Sequence, residues 1–207
     1  MHSVYANIGY DNRVKCVTEF TMKQEQGWWC GAERCPSPNY DTRPEHVEID
    51  LLVIHNISLP PGQYGGQCIR DFFCNQLDCD AHPYFEQLRD MHVSAHLLIE
   101  RDGNLLQFVS FDERAWHAGQ SSFDGVPDCN NYSIGIELEG TDQAAYTDAQ
   151  YTSLARISAQ LMQDYPAITA SRITGHCDIA PGRKTDPGEA FDWSQLHERI
   201  RGVQQET

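Results

Sequence analysis

The chain has 207 residues, a mass of 23.5 kDa, 40% hydrophobic and 22% charged residues, which suits one globular domain with a substantial core and leaves no room for a second full domain. Its 30 acidic and 15 basic residues give a formal charge of −15, which argues against nucleic acid or an anionic membrane surface as a partner, because both attract a basic face. The sequence has no membrane span of about 20 apolar residues and no signal-peptide core near its start. We therefore expect a cytoplasmic protein, and no obligate protein partner is inferred.

Residues 1–24 form a polar lead without a hydrophobic period. We expect this lead to lie outside the fold and residues 25–207 to form the single domain. Met22 is a candidate for the natural start. Residues 32–44 contain three prolines among polar residues, which predicts an extended loop.

The first clear strand is the apolar run at 50–55, which lacks alternation and predicts a strand covered on both faces. His55 ends this run, and sheets of this kind place ligands at strand ends. Residues 93–100 and 104–109 predict a hairpin, because two apolar β-forming segments flank Asp102-Gly103.

The apolar strand predicted at residues 133–138 contains one carboxylate, that of Glu137. The aliphatic side chains of this strand share one face, so Glu137 points to the other. A carboxylate in so apolar a strand is costly unless it is paired or lines a cavity, and its pKa can be tuned for general-base catalysis near a metal. Glu139 shares the face of Glu137, and we expect it to lie nearer solvent or to bond loop amides.

Helices are predicted between and after these strands. A short one covers residues 67–74, and the clearest covers residues 148–164, where Thr147 and Gln150 suit a capping box. Another begins near Trp193. Strands mixed with helices predict an α/β (α+β) fold in which helices flank a mixed central β-sheet within a single domain.

Eight cysteines are scattered at positions 16, 30, 35, 68, 74, 79, 129 and 177. In a cytoplasmic chain of this length we expect free thiols rather than a disulfide framework. The pairs at 30/35 and 74/79 lack the C-x-x-C spacing of a structural zinc site. Cys177 adjoins His176, but neighbours in a strand point to opposite faces, so we do not expect it to bind a metal.

His55, Glu137, His176, Lys184 and Asp186 are candidates for a catalytic metal site. Two imidazoles and a carboxylate can bind Zn²⁺ and leave its fourth position open for water. Residues 174–188 form a loop rich in Pro and Gly, where positioned chemistry is common. Simpler explanations stay open: a lone histidine is more often structural, Lys184 and Asp186 would make a surface ion pair worth under about 1 kcal/mol, and Asp186 would merely start a turn.

Six ordered motifs between about residues 27 and 195 resemble one known family. They are HNISLPPG at 55–62, AHPYF at 81–85, VSAH at 93–96, RAWHAG at 114–119, SIGIELEGT at 133–141, and GHCDIAP at 175–181 with KTDP at 184–187. Together they make the chain similar to the zinc-dependent N-acetylmuramoyl-L-alanine amidases, and within them to the AmpD type, the 1,6-anhydro-N-acetylmuramoyl-L-alanine amidases of cytoplasmic cell-wall recycling.

The resemblance implies a role for each matching residue. His55, His176 and Asp186 match the zinc ligands of the family. Glu137 matches its catalytic carboxylate, and Lys184 matches the lysine near the reacting carbonyl. The positions that match segments beside the substrate cleft are Asn56, Tyr84, Trp116 and His117.

The resemblance also implies the amidase and peptidoglycan-recognition fold, Zn²⁺ as cofactor and an anhydromuropeptide as substrate. The bond cleaved would join the lactyl group of (1,6-anhydro-)N-acetylmuramic acid to L-alanine of the stem peptide. Arg89, Arg101 and Arg183 are candidates for a positive site that receives the peptide carboxylates.

Two alternative functions stay open. Some peptidoglycan-recognition proteins of this fold bind a muropeptide without cutting it because a zinc ligand is missing, whereas all three ligand positions are filled here. A zinc peptidase would use the same metal chemistry on peptide bonds, but the H-E-x-x-H motif of the common class is absent. The complete ligand set favours the amidase.

Overall fold

A computed structural model describes residues 24–206, and helices cover both faces of its mixed central sheet. The strands are β1 (Gln24–Glu25), β2 (Trp28–Trp29), β3 (Glu33–Arg34), β4 (Tyr40–Thr42), β5 (Leu51–Ile57), β6 (Leu97–Ile99), β7 (Leu105–Gln107), β8 (Glu113–Ala115), β9 (Ser122–Phe123), β10 (Val126–Pro127), β11 (Ser133–Glu139) and β12 (Ile173–Gly175). The helices are α1 (Cys68–Phe73), α2 (Asp148–Asp164), α3 (His176–Ile179) and α4 (Trp193–Glu206), with 3₁₀ turns at Pro83–Leu88, Cys129–Asn131 and Ala170–Arg172.

Six strands form the central sheet, in the spatial order β12-β5-β11-β6-β7-β3. The first four of these run parallel to one another. β7 is antiparallel to β6, and β3 closes the edge parallel to β7. The predicted mixed sheet flanked by helices is confirmed.

Alternate side chains of β5 pack on opposite faces of the sheet. Leu52 and Ile54 belong to the large apolar core that also contains residues of α2 and α4. Leu51 and Val53 join a smaller cluster on the other face, and His55 shares that face because side chains alternate along a strand. Every residue from Leu51 to His55 is buried, so the predicted strand covered on both faces is confirmed.

The predicted capping box fastens α2 to the sheet. The Thr147 hydroxyl accepts from the Gln150 amide at 3.1 Å, and the Gln150 side chain accepts from the Thr147 amide at 3.1 Å. Such a cap stabilises a helix by about 1 kcal/mol. The Gln150 side-chain amide also donates to the carbonyl oxygens of Ile99 and Glu139, so the start of α2 is joined to the ends of β6 and β11.

The predicted hairpin is confirmed, with strands of three residues each in β6 and β7. Gly103 in its turn has a φ of +87°, and a Cβ at this position would lie 2.9 Å from the Ala149 carbonyl oxygen. Glycine is therefore required by both conformation and space.

Residues 32–44, predicted as an extended loop, contain the short strands β3 and β4. The prolines flank these strands instead of interrupting them, so the backbone N–H groups of the strand residues remain able to donate. Of the lead predicted at residues 1–24, residues 1–23 lie outside the described residues. In the described part of the chain, every helix is too short or too polar to cross a membrane.

Candidate active site

Polar side chains meet at the carboxyl ends of neighbouring parallel strands. His55 of β5 pairs in register with Glu137 of β11, and His176 directly follows β12 on the other side of β5. Asp186 lies in the loop after α3, where its carbonyl oxygen accepts from the Cys177 amide at 2.9 Å. Ligands bind at this edge of parallel sheets because the loops that follow the strands converge there.

Three of these residues place potential ligand atoms close together. Nδ1 of His55 lies 2.9 Å from Nδ1 of His176 and 3.0 Å from Oδ2 of Asp186. Nδ1 of His176 lies 3.1 Å from the same carboxylate oxygen. Sequence reasoning named these three residues, and the structure brings them together as a possible metal site.

The donor set fits zinc. A tetrahedral zinc ion with bonds of about 2.0–2.1 Å separates its ligand atoms by about 3.3 Å, so the triangle needs to widen by only a few tenths of an ångström. Nε2 of His176 lies 3.0 Å from the Ala118 carbonyl oxygen, which can only accept. That nitrogen therefore carries the ring proton of the neutral imidazole, and Nδ1 presents a lone pair to the site.

Burial and neighbouring groups set the charges of the triangle. Burial lowers the pKa of the His55 imidazole to about 4, so the ring is neutral at pH 7. Burial would raise the pKa of Asp186, but the His176 and His55 rings beside its carboxylate, which stabilise the negative charge when they carry a proton, outweigh burial and hold that pKa well below the ordinary value. A neutral His55 and an ionised Asp186 are in the protonation states that bind a divalent metal.

Glu137 lies beside this triangle with an unsatisfied carboxylate. Its Oε2 atom is buried and has no hydrogen-bond partner. Burial raises the pKa of Glu137 well above the ordinary value, repulsion from Asp186 adds to this, and Lys184 opposes it. An unpaired buried carboxylate costs stability, so such a group indicates a functional site rather than a structural one.

The raised pKa of Glu137 predicts a pH-dependent effect on stability. Because the folded protein binds the proton more tightly than the unfolded chain, the contribution of Glu137 is present below the ordinary pKa of 4.5 and is lost as the pH rises. We expect chelator-treated Glu137→Gln to be more stable than chelator-treated wild type at pH of about 8, and this difference to shrink toward pH of about 5. Thermal unfolding of both proteins across this range measures it, and a difference that does not change with pH would contradict the expectation.

A cleft of about 390 Å³ opens in front of the triangle and Glu137. This is the size of pocket that binds a small molecule. Its other lining residues are Asn56, Ile57, Ser58, Leu59, Pro61, Phe72, Phe73, Tyr84, Gln87, Leu88, Met91, Val93, Ser94, His117 and Lys184. One wall therefore comes from α1 and the 3₁₀ turn at Pro83–Leu88. Sequence reasoning missed most of this wall, although Phe72-Phe73 in a predicted helix was a usable signal.

Known proteins are similar to this chain in both sequence and fold. The model of the N-acetylmuramoyl-L-alanine amidase family, Amidase_2, matches residues 45–189. The chain belongs to this amidase family. It is 58% identical over 175 residues to the 1,6-anhydro-N-acetylmuramyl-L-alanine amidase AmpD of Escherichia coli (strain K12). These residues cover 84% of this chain and 95% of that relative.

Two solved structures extend the comparison. The crystal structure of a selenomethionine derivative of AmpD superposes with a TM-score of 0.84 and 55% identity, over 86% of this chain and 99% of that one. The amidase AmiD from E. coli, in complex with the substrate anhydro-N-acetylmuramic acid-L-Ala-D-gamma-Glu-L-Lys, gives a TM-score of 0.55 and 30% identity, over 76% of this chain and 60% of that one. The predicted amidase fold is confirmed.

Three of the four residues predicted beside the substrate line the cleft of this amidase. Asn56 and His117 lie close to the triangle, and Tyr84 lies at the mouth with 38% of its surface exposed. Asn56 is held by a hydrogen bond of 2.8 Å from its side-chain amide to Asp142. Trp116 is not among the lining residues, and its indole instead lies near enough to the Asp41 carboxylate on β4 to help lower the pKa of that carboxyl.

The arginines suggested for a positive site are engaged elsewhere in the amidase. Arg89 forms exposed ion pairs with acidic neighbours. Arg101 donates to the backbone carbonyls of Glu139 and Ala145, and Arg183 donates to those of Ala118 and Gln120. Of the lining residues, all within 24–206, Lys184 alone carries a fixed positive charge. The simpler explanation of Lys184 as the ion-pair partner of Asp186 is wrong, since Asp186 contacts the two histidines.

Glu139 and the cysteines agree only in part with what the sequence predicted. Glu139 is 2% exposed and accepts from the amides of Gly65 and Arg101, so the expected bonding to loop amides is confirmed and the expected exposure is wrong. The seven described cysteines are free thiols, as predicted. Cys177 lies outside the triangle, but in the first turn of α3 and not in a strand, so the reason first given for excluding it is wrong.

Proposed function

We propose that the chain is a zinc-dependent 1,6-anhydro-N-acetylmuramoyl-L-alanine amidase of peptidoglycan recycling. It hydrolyses the amide bond between the lactyl group of the sugar and L-alanine of the stem peptide. The observation that carries the proposal is the triangle of His55, His176 and Asp186, with edges of 2.9–3.1 Å, beside the buried and unpartnered Oε2 atom of Glu137.

The choice of substrate rests on the relatives. The relative with 58% identity is named for the anhydro substrate, and the AmiD structure at 30% identity holds an anhydromuropeptide. The half-exposed Tyr84 and the apolar wall at Phe72-Phe73 suit a ligand with a sugar and a peptide, because flat apolar surfaces and a few polar groups together orient such ligands. The cytoplasmic location expected from the sequence stays a prediction.

Each residue of the site then has a chemical role. His55, His176 and Asp186 hold the zinc ion, which when bound activates a water molecule and polarises the amide carbonyl. Glu137 accepts the proton of the attacking water and delivers it to the leaving nitrogen. Burial raises the pKa of Glu137 above the ordinary value, which makes its carboxylate a stronger base for the first of these steps than an ordinary carboxylate.

Lys184 stabilises the negative charge that develops on the carbonyl oxygen. It lines the cleft, and its ammonium group lies close enough to Glu137 to lower the pKa of that carboxyl. Asn56 and Tyr84 contact the substrate from the cleft walls.

Product analysis by mass spectrometry tests this function. Purified protein is incubated with anhydromuramoyl-tripeptide, with zinc and after chelation. We expect free tripeptide with zinc, none after chelation, and recovery when zinc is returned. Intact substrate in the presence of bound zinc would instead support a muropeptide-binding module, and cleavage of a plain peptide would support a zinc peptidase.

Lys184→Ala is expected to keep zinc and lose most of its rate. Removing one donor to a developing oxyanion commonly costs about 3–4 kcal/mol, which is a loss of about 10²- to 10³-fold in turnover. Steady-state kinetics together with zinc content per chain measures the effect. Loss of zinc in this variant would show that Lys184 supports the metal site instead.

A further inference from the structure

A chain of hydrogen bonds runs from the back of His55 into the protein. Nε2 of His55 lies 2.9 Å from Nδ1 of His117, and Nε2 of His117 lies 3.1 Å from the Ser133 hydroxyl. That hydroxyl lies 2.6 Å from the Cys129 carbonyl oxygen. This series of hydrogen bonds therefore begins on a proposed metal ligand and ends on a backbone carbonyl.

The carbonyl at its end determines the direction of every proton. The Cys129 oxygen can only accept, so the Ser133 hydroxyl uses its single proton there and must accept from Nε2–H of His117. Neutral His117 then has a bare Nδ1, which accepts Nε2–H of His55. In consequence the Nδ1 of His55 that faces His176 and Asp186 carries a lone pair.

The His117 ring is also held in place by packing. A Cβ at Gly135 would lie 2.4 Å from Cγ of His117, so the ring occupies space that only glycine leaves open. The rings of His55 and His117 meet edge to face with centroids 5.0 Å apart, and His96 packs against His117 at 5.6 Å. His117 therefore has one position and one set of partners.

We propose that His117 is a positioning residue of the metal site, which holds His55 in the tautomer and orientation that direct its Nδ1 lone pair at the metal. This rests on the proposed function, in which His55 binds zinc. Although His117 lines the cleft, both of its ring nitrogens are used, one by His55 and one by Ser133. Substrate recognition through either nitrogen would break this series of hydrogen bonds.

Two substitutions of His117 separate positioning from bulk. His117→Asn places its Oδ1 near the position of Nδ1 and can still accept from His55, whereas His117→Leu fills similar space without an acceptor. Outer partners of metal-binding histidines commonly contribute about 10- to 100-fold in metal affinity. We expect the leucine variant to lose zinc affinity by that factor and the asparagine variant to stay within a few-fold of wild type.

The measurements are a zinc dissociation constant from competition with a chromophoric chelator and the ¹⁵N chemical shifts of the His55 ring in metal-free protein. We expect Nε2–H on His55 in wild type and the asparagine variant, and a mixture of tautomers in the leucine variant. If the leucine variant does not fold, Ser133→Ala replaces it. Without the Ser133 hydroxyl, the ring proton of His117 can move from Nε2 to Nδ1, and Nδ1 then no longer accepts from His55.

Unchanged zinc affinity and an unchanged His55 tautomer in the leucine variant, or in Ser133→Ala if that variant takes its place, would overturn the proposal. Failure of the part of the proposed function on which this rests, zinc binding by His55, has a different signature, since wild type itself would then bind no zinc. In that case the tautomer of His55 in wild type and in the His117 variants still decides whether His117 positions the ring.

Discussion

Replacing Glu137 by glutamine is expected to lower turnover by about 10²- to 10⁴-fold and to leave zinc binding within a few-fold of wild type. The Oε2 atom of Glu137 is buried without a hydrogen-bond partner, and the residue pairs in register with His55 across two neighbouring strands. Glutamine keeps the shape of the side chain but can neither accept nor return a proton. Steady-state kinetics on anhydromuramoyl-tripeptide, with metal analysis of the same sample, measures both quantities.

Glu139→Gln is the matched control for this substitution. Glu139 lies two positions along the same strand and on the same face, but its carboxylate accepts from two loop amides instead of facing the cleft. An amide in its place would lose part of this bonding at a cost of about 1–3 kcal/mol in unfolding free energy. We expect lower stability and nearly normal turnover, so equal losses of turnover in both variants would contradict the role given to Glu137.

His176→Ala is expected to abolish zinc binding at micromolar metal and to reduce activity to the background rate. A catalytic zinc site has three protein ligands, and the loss of one leaves too few to hold the ion. The ring of His176 is also fixed from behind by the Ala118 carbonyl oxygen, which lies 3.0 Å from its Nε2 atom. Zinc content after dialysis and product analysis are measured on the same preparation.

His92→Ala serves as the control for His176→Ala, because His92 is an exposed histidine outside the cleft. It should bind zinc and cleave the substrate as wild type does. The two active-site substitutions then have separate signatures, since Glu137→Gln keeps zinc and loses the rate while His176→Ala loses both. Full zinc occupancy in His176→Ala would remove His176 from the ligand set.

Local patterns predicted the elements that hold the site. The unbroken apolar run before His55 predicted β5, and the alternation around Glu137 predicted both β11 and the face of its carboxylate. The capping box at Thr147 predicted the start of α2. These predictions succeeded because alternation and capping depend on residues only a few positions apart.

Side-chain partners that are distant in the chain could not be predicted in this way. Trp116 lies beside His117 in sequence but turns toward Asp41 instead of the cleft. The sequence predicted that Glu139 would bond loop amides, but not that these would be the amides of Gly65 and Arg101 or that the side chain would be buried. The residue that each side chain meets depends on how separate elements pack, which no short window of sequence contains.

The sequence by itself determined the main strands and helices, the unusual carboxylate on β11 and, through the resemblance of six motifs, the family and the candidate ligands. Only the tertiary structure decided that the Nδ1 atoms of His55 and His176 and the Oδ2 of Asp186 lie about 3 Å apart, and that His117 and Ser133 stand behind them. The physical reason is that the parallel pairing of β5, β11 and β12 joins distant segments, and its register is set by packing of the whole sheet.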